Sequence, residues 1–351
     1  MNELFVQKVN EARTGQKSQG MDLLGGLVKS SYSPDTSASE KGGKTGLSDG
    51  EILGNAFVMI LAGHETTANS IHFASVLLAT TPSSQRNLQS EIQTIFGESD
   101  PATWDYDENI NALLGGMVGA VLNEELRLMP PVIAIPKTVS AHAPQAVYGP
   151  NGEKYILPAG AFISLVSAAV HRNPNYWPSL GPSKVTPTEK NDLNDFVPER
   201  WLVDNHDKTT KETEKPSAEK SDADGFGGFT GEASSASLFR PAPGAFIAFS
   251  EGARSCIGRR LAQVEVVAVL ATIFQKYSIE LAVDEWATDE EVERMSRAER
   301  VAVYTKAIQK ARKIIMEEPS MRITLKLHGE IDHIPLRVVR KGEERFLGLF
   351  E

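Results

Sequence analysis

The chain has 351 residues, 41% hydrophobic, 7% aromatic and 23% charged, a composition that supports one large or two ordinary packed domains. Its net charge of −10 and pI near 5.4 argue against a nucleic-acid binder, because phosphate recognition needs concentrated Lys and Arg. No apolar run approaches the roughly 20 residues of a membrane helix, the polar start lacks a signal peptide's apolar stretch, and a single cysteine cannot form an internal disulfide.

Residues 1–46 read as a partial helical segment, with Leu4, Phe5 and Val9 on an amphipathic turn and MDLLGGLVKS after it, followed by a flexible Ser/Gly/Lys-rich loop. Ser48 and Glu51 have the spacing of a capping box and predict the start of a long helix. That helix runs about 30 residues to Thr81-Pro82, roughly 45 Å at the usual rise, enough to cross a domain. Its middle is Ala62-Gly63-His64-Glu65-Thr66-Thr67. A glycine inside a helix costs up to about 1 kcal/mol, so Gly63 invites a reason beyond propensity, and a locally opened, widened groove is the expected one.

Residues 83–96 predict an amphipathic helix, and Asn109–Leu128 another, with Leu113, Leu114, Met117, Val118, Val121 and Leu122 as its apolar stripe. Near its end Glu124 and Arg127, three apart, share a face and can pair, although any exposed helix shows this spacing by chance. Glu125 beside them is expected to be replaceable. Pro130 and Pro131 end the helix and force extended backbone through Val132–Lys137. Val147–Val170 alternates around Pro158-Ala159-Gly160, the mark of a hairpin, and leads into His171-Arg172-Asn173-Pro174 and Trp177.

The run Phe196-Val197-Pro198-Glu199-Arg200-Trp201 comes next. Residues 203–237 are charged, Gly/Ser-rich and short of large apolar side chains, and read as a disordered insertion. A charged helical stretch over 288–317 precedes MRITLKLHG and IPLRVVRK, two expected strands joined by a turn at Gly329–His333.

The lone cysteine lies in Phe249-Ser250-Glu251-Gly252-Ala253-Arg254-Ser255-Cys256-Ile257-Gly258, ahead of a helical apolar pattern over 257–277. A cysteine at the mouth of a helix meets backbone N–H groups and the positive end of the dipole, which favour a thiolate that can act as ligand or nucleophile. A lone cysteine is more often a small buried hydrophobe, and a nucleophile would need a histidine base nearby in space. Gly252 suits a tight turn, Gly258 a close backbone approach, and Arg254 offers a fork of donors to a carboxylate.

Taken whole, F-x-x-G-x-R-x-C-x-G resembles the haem-binding loop of the cytochrome P450 family, with every fixed position filled, and the earlier motifs follow in family order. The resemblance identifies a eukaryotic, fungal-type member lacking the usual N-terminal portion, and covers residues 47–340 nearly continuously. It implies a mainly α fold with a minor β region, in which residues 47–351 form the haem-binding core. It implies haem b with the Cys256 thiolate as axial metal ligand, Phe249 shielding the sulfur, Gly252 and Gly258 shaping the loop, and Arg254 and Lys137 facing the propionates. Lys137 stands where arginine is usual, which keeps the charge and loses the bidentate fork. Ala62 and Gly63 would lie over the haem, Thr66 would orient dioxygen and water, and Glu65 would feed protons. Glu124, Arg127 and Arg200 would form a partly buried charge network.

The implied function is a haem-thiolate monooxygenase inserting one atom of O2 into a small apolar organic substrate, with electrons from NADPH–cytochrome P450 reductase. The expected setting is fungal secondary metabolism at the cytoplasmic face of the endoplasmic reticulum membrane, although this chain is expected to have no anchor of its own. A catalytically inactive fragment and a haem-thiolate isomerase are the alternatives, and the intact Glu65-Thr66 pair speaks against the isomerase.

Overall fold

The computed structural model describes residues 6–11, 23–32, 46–149, 151–186, 188–202, 238–321, 324–327 and 333–350. Leu4, Phe5, the 203–237 insertion and, apart from His333, the turn at Gly329–His333 lie outside the described residues. The fold is mainly helical, with four small two-stranded antiparallel sheets among the described residues. Contacts group the chain into two units, Met1–Glu65 and Thr66–Glu351.

In the first unit, helix α1 (Leu23–Tyr32) and the helical residues 6–11 accompany the start of α2 (Asp49–Thr80). Val9, Val28 and Ile52 form a small buried cluster there, with Leu24, Leu27 and Leu53 packed on it. The capping box is present: the Ser48 N–H donates to Glu51 Oε2 at 2.8 Å, and the Glu51 N–H donates to Ser48 Oγ at 3.4 Å. The opening expected at Gly63 is absent, because α2 is continuous from Asp49 to Thr80. Among the described residues, a Cβ added to Gly63 would meet nothing within 4 Å.

The second unit is organised around one large apolar cluster that draws on the C-terminal half of α2, α3 (Pro82–Phe96), α4 (Tyr106–Gly115) and α5 (Met117–Leu128). The helix expected over Asn109–Leu128 is therefore two. Gly116 is extended (φ −114°, ψ −156°), and Glu91 of α3 accepts the N–H groups of Met117 at 2.5 Å and Val118 at 3.1 Å, capping α5 from outside.

Strand β1 (Ala134–Thr138) pairs with β4 (Phe162–Val166), and β2 (Gln145–Tyr148) with β3 (Lys154–Leu157). The Pro158–Gly160 turn thus joins β3 to a strand of another sheet instead of closing a hairpin, and Gly160 takes φ 73°. After the four-residue helix α6 (Ser167–Val170) and the cysteine loop comes α7 (Arg259–Lys276), then β5 (Tyr277–Leu281).

The stretch expected as one helix over 288–317 is split into α8 (Asp289–Arg294) and α9 (Arg297–Glu317). Each carries its own capping box, Thr288 with Glu291 and Ser296 with Glu299. The last two strands are not a hairpin either: β6 (Pro319–Met321) pairs with β7 (Leu325–Leu327), while β8 (Leu336–Arg340) returns to β5. No helix among the described residues is long and apolar enough to cross a membrane.

Candidate functional site

Glu124 is completely buried on α5 and accepts five hydrogen bonds. Arg127 grips it with two parallel donors, Nε to Oε2 at 2.8 Å and Nη2 to Oε1 at 2.9 Å. Arg200 Nε reaches Oε1 at 3.0 Å, as does the Val197 N–H, and Trp201 Nε1 donates to Oε2 at 2.9 Å. Burial alone would raise the Glu124 pKa, yet the Coulomb attraction and hydrogen bonds of Arg127, with Arg200 behind, hold it below the usual carboxylate value. The remaining guanidinium donors go largely to main chain, Arg127 to the carbonyls of His171 (3.0 Å) and Leu193 (2.8 Å) and Arg200 to those of Pro178 (2.6 Å) and Asp192 (2.9 Å), and Arg200 Nη1 also pairs with the Asp192 carboxylate at 3.4 Å. A buried charge cluster is tolerated when its donors are spent in this way.

Glu125 corrects the sequence expectation. It is as buried as Glu124, neither of its oxygens finds a hydrogen-bond partner of good geometry among the described residues, and burial pushes its carboxyl well above the usual range against the weaker opposing effect of Ser70. A buried carboxyl without strong donors favours its neutral form.

The cysteine loop hangs from the same scaffold. The Cys256 N–H donates to the Phe249 carbonyl at 2.8 Å, closing the loop, while the thiol itself is exposed. Gly252 opens a 3-10 turn at φ 75°, a left-handed value that glycine adopts without strain. Ser250 also lies in this region, at φ 59°, which costs a non-glycine residue on the order of 1 kcal/mol. Three bonds hold it there: its N–H to the Ile247 carbonyl (2.9 Å), its carbonyl from Arg259 Nη2 (3.1 Å), and its hydroxyl from Lys137 Nζ (3.4 Å). Lys137 on β1 therefore meets the loop. Arg259 also lies over the Phe249 ring, 5.4 Å from its centroid, and Phe249 packs half-buried against the main cluster.

Gly258 has an ordinary φ of −86°, and a Cβ there would come no nearer than 3.9 Å, to the Cys256 sulfur, so the chain itself does not require glycine. Arg254 is exposed and makes no hydrogen bond or ion pair among the described residues. Beside the thiol, Ile257 and Leu261 are 89% and 67% exposed. An outward thiol, two bare apolar side chains and a guanidinium without a partner fit a flat apolar group carrying both a thiolate-seeking metal and carboxylates. No cluster of three or more His, Cys, Asp or Glu able to hold a metal ion exists among the described residues.

On α2, Ala62 and Gly63 are exposed and Glu65 and Thr66 half-buried, Glu65 closing the first unit and Thr66 opening the second. Ser250, Arg259 and His171 went unnoticed in the sequence as parts of this site. His171 stands in a quoted run, but its partner Ile247 lies 76 residues away, and no local spacing could reveal the pair.

The family model described as Cytochrome P450 matches residues 1–301. The chain is similar to cytochrome P450 monooxygenase 124 of Postia placenta, 27% identical over 80% of this chain and 43% of the relative. It is similar as well to a cytochrome P450 monooxygenase of Arthrobotrys oligospora (28%, over 81% and 45%) and to cytochrome P450 3A13 of Mus musculus (27%, over 78% and 42%). The chain thus spans under half the length of these relatives.

Proposed function

Because the chain belongs to the cytochrome P450 family, we propose that it carries the haem-binding part of a haem-thiolate monooxygenase acting on a small apolar organic molecule. The observation that carries this reading is the exposed Cys256 thiol at the mouth of α7, flanked by exposed Ile257 and Leu261. When bound, haem supplies the redox chemistry by which O2 takes up two electrons, one oxygen atom passing to the substrate and the other leaving as water.

Cys256, at the mouth of α7, would ligate the iron, and Phe249 would keep water from the sulfur. Arg254 and Lys137 would take the propionates, the first as a fork and the second as a point charge. Gly252 shapes the loop at its left-handed turn, Gly258 would let the backbone approach a flat group closely, and the network of Glu124, Arg127 and Arg200 fixes the wall behind it.

Ala62 and Gly63 would leave the α2 surface low over the group, Thr66 would orient dioxygen and water, and Glu65 would feed protons. Electrons come from NADPH–cytochrome P450 reductase, at the endoplasmic reticulum membrane, as for microsomal members of the family.

The test is the spectrum of the chain loaded with haem, reduced and exposed to carbon monoxide. The red-shifted Soret band of thiolate ligation is expected, and it must vanish in Cys256→Ser. The same band from Cys256→Ser would reject the assignment.

A further inference from the structure

His171 has no part in the reading above, yet it is completely buried and all of its polar atoms are engaged. Its Nε2 accepts the Ile247 N–H at 2.9 Å, and its Nδ1 lies 3.2 Å from the Arg127 carbonyl. A backbone N–H can only donate, so Nε2 carries the lone pair and the ring proton sits on Nδ1, donating to Arg127. The imidazole is therefore a neutral bridge with a fixed tautomer.

An imidazolium would set two donors against each other at Ile247. Burial, together with the nearby Arg127 and Arg172 charges, pushes the His171 pKa down to about 4, in keeping with that bridge. The ring is held in plane by Phe246, stacked at 5.0 Å, and by the edge of Trp177 at 6.4 Å.

The two ends of the bridge matter. Arg127 is the residue that clamps Glu124, and it also donates to the His171 carbonyl. Ile247 is the root of the cysteine loop: its carbonyl accepts the N–H of strained Ser250, and two residues on, the Phe249 carbonyl accepts the Cys256 N–H. Residues 251–257 are exposed throughout, so the loop depends on anchors at its base. The side-chain anchors from Lys137 and Arg259 are at 3.4 and 3.1 Å and only partly buried, and the one through Glu251, which accepts the Gly244 N–H at 3.3 Å, is exposed.

We infer that His171 is a positioning residue for Cys256: its neutral ring ties the base of the cysteine loop to the Glu124–Arg127 network and so sets where the thiol is presented. The inference rests on the reading of Cys256 as the iron ligand, but the tie itself does not.

The experiment compares His171→Phe, which keeps the ring stack and removes the acceptor, with His171→Gln, which returns an oxygen acceptor to the same side. In the full chain without haem, amide hydrogen exchange is followed at Ile247, Ser250 and Cys256. Exchange should rise about tenfold or more in His171→Phe and stay near the parent rate in His171→Gln. With haem loaded, the share of the reduced carbonyl spectrum lying in the thiolate band, per haem bound, should fall in His171→Phe and return in His171→Gln.

A residue that only supported stability would lower the amount of folded chain and leave that share unchanged, and this outcome overturns the proposal. Equal behaviour of the two variants overturns it too. If neither variant folds, the parent chain decides: an Ile247 amide exchanging as fast as an unstructured one overturns the tie. Absence of the thiolate band in the parent chain rejects the ligand reading alone, since the exchange measurement does not involve haem.

Discussion

Glu124 and Glu125 are adjacent on α5 and equally buried, and their carboxyls meet the interior in opposite ways. Glu124 is charged and surrounded by donors. Its folded pKa is depressed, so the stability it contributes is present above its unfolded pKa and is lost as pH falls through the folded one. Glu124→Ala leaves two buried guanidinium groups without their acceptor, and a loss of about 3–5 kcal/mol is expected in denaturant unfolding.

Glu125 has a raised pKa. Between its unfolded and folded values the unfolded chain binds fewer protons than the folded one, so Glu125 makes stability fall as pH rises. Glu125→Gln removes this slope, at most about 1.4 kcal/mol per pH unit, and should raise the melting temperature at neutral pH more than in acid. Parallel pH profiles for parent and variant would show that Glu125 is ionised in the fold. The E-x-x-R spacing made Glu124 legible because its first partner lies one helical turn away. Glu125 was not legible, because nothing local tells which neighbour of a paired acid will face Ser70 of α2 and the core.

The break between α4 and α5 shows the same limit for a whole element. The apolar stripe runs on from Leu113 and Leu114 to Met117, Val118 and Val121, so periodicity reads one helix. The second helix is capped by Glu91, 26 residues earlier in the chain, a partner only the folded molecule supplies. Gly119 records how tight the corner is. A Cβ there would lie 2.1 Å from the Leu114 carbonyl oxygen, which is backbone and cannot swing aside.

Helix propensity alone predicts that Gly119→Ala stabilises by up to about 1 kcal/mol. The corner predicts the reverse, a destabilisation of about 1–3 kcal/mol as α4 is pushed from α5, so the sign in a thermal melt decides between them. Removing the external cap in Glu91→Ala should cost about 0.5–2 kcal/mol by the same assay. β1, β4 and β8 were legible as extended segments, β5 went unread, and β4 finds β1 and β8 finds β5 across 23 and 54 intervening residues, counting from the ends of β1 and β5 to the starts of β4 and β8 (162 − 138 − 1 and 336 − 281 − 1). Alternation carries no information on partners.

At the scale of the molecule, the region that resembles the family and the region that folds together have different ends. The family match stops at residue 301, inside α9, whereas Val303, Tyr304, Ala307, Ile308, Ala311 and Ile315 of that helix all lie in the main cluster. Tyr304 is the tightest point of this attachment. Its hydroxyl donates to the Ala79 carbonyl at 2.9 Å, at the end of α2, and accepts the Leu281 N–H at 3.1 Å, at the end of β5. Burial raises its pKa, so the proton that makes the first bond is retained throughout the working pH range.

Glu280 meanwhile accepts the N–H groups of Phe346 (2.7 Å) and Leu347 (3.0 Å), and Phe346 stacks on Tyr304 at 4.8 Å, so the last described residues close over the same point. Tyr304→Phe keeps the ring and its stack while stranding one buried carbonyl and one buried N–H. A loss of about 1–3 kcal/mol is therefore expected. Ending the chain at residue 301 removes the apolar face as well, and should abolish cooperative unfolding instead of merely lowering its midpoint. A cooperative transition in the shortened chain, or a Tyr304→Phe variant as stable as the parent, would mean that α9 is an appendage to the main apolar cluster and not part of what holds it together.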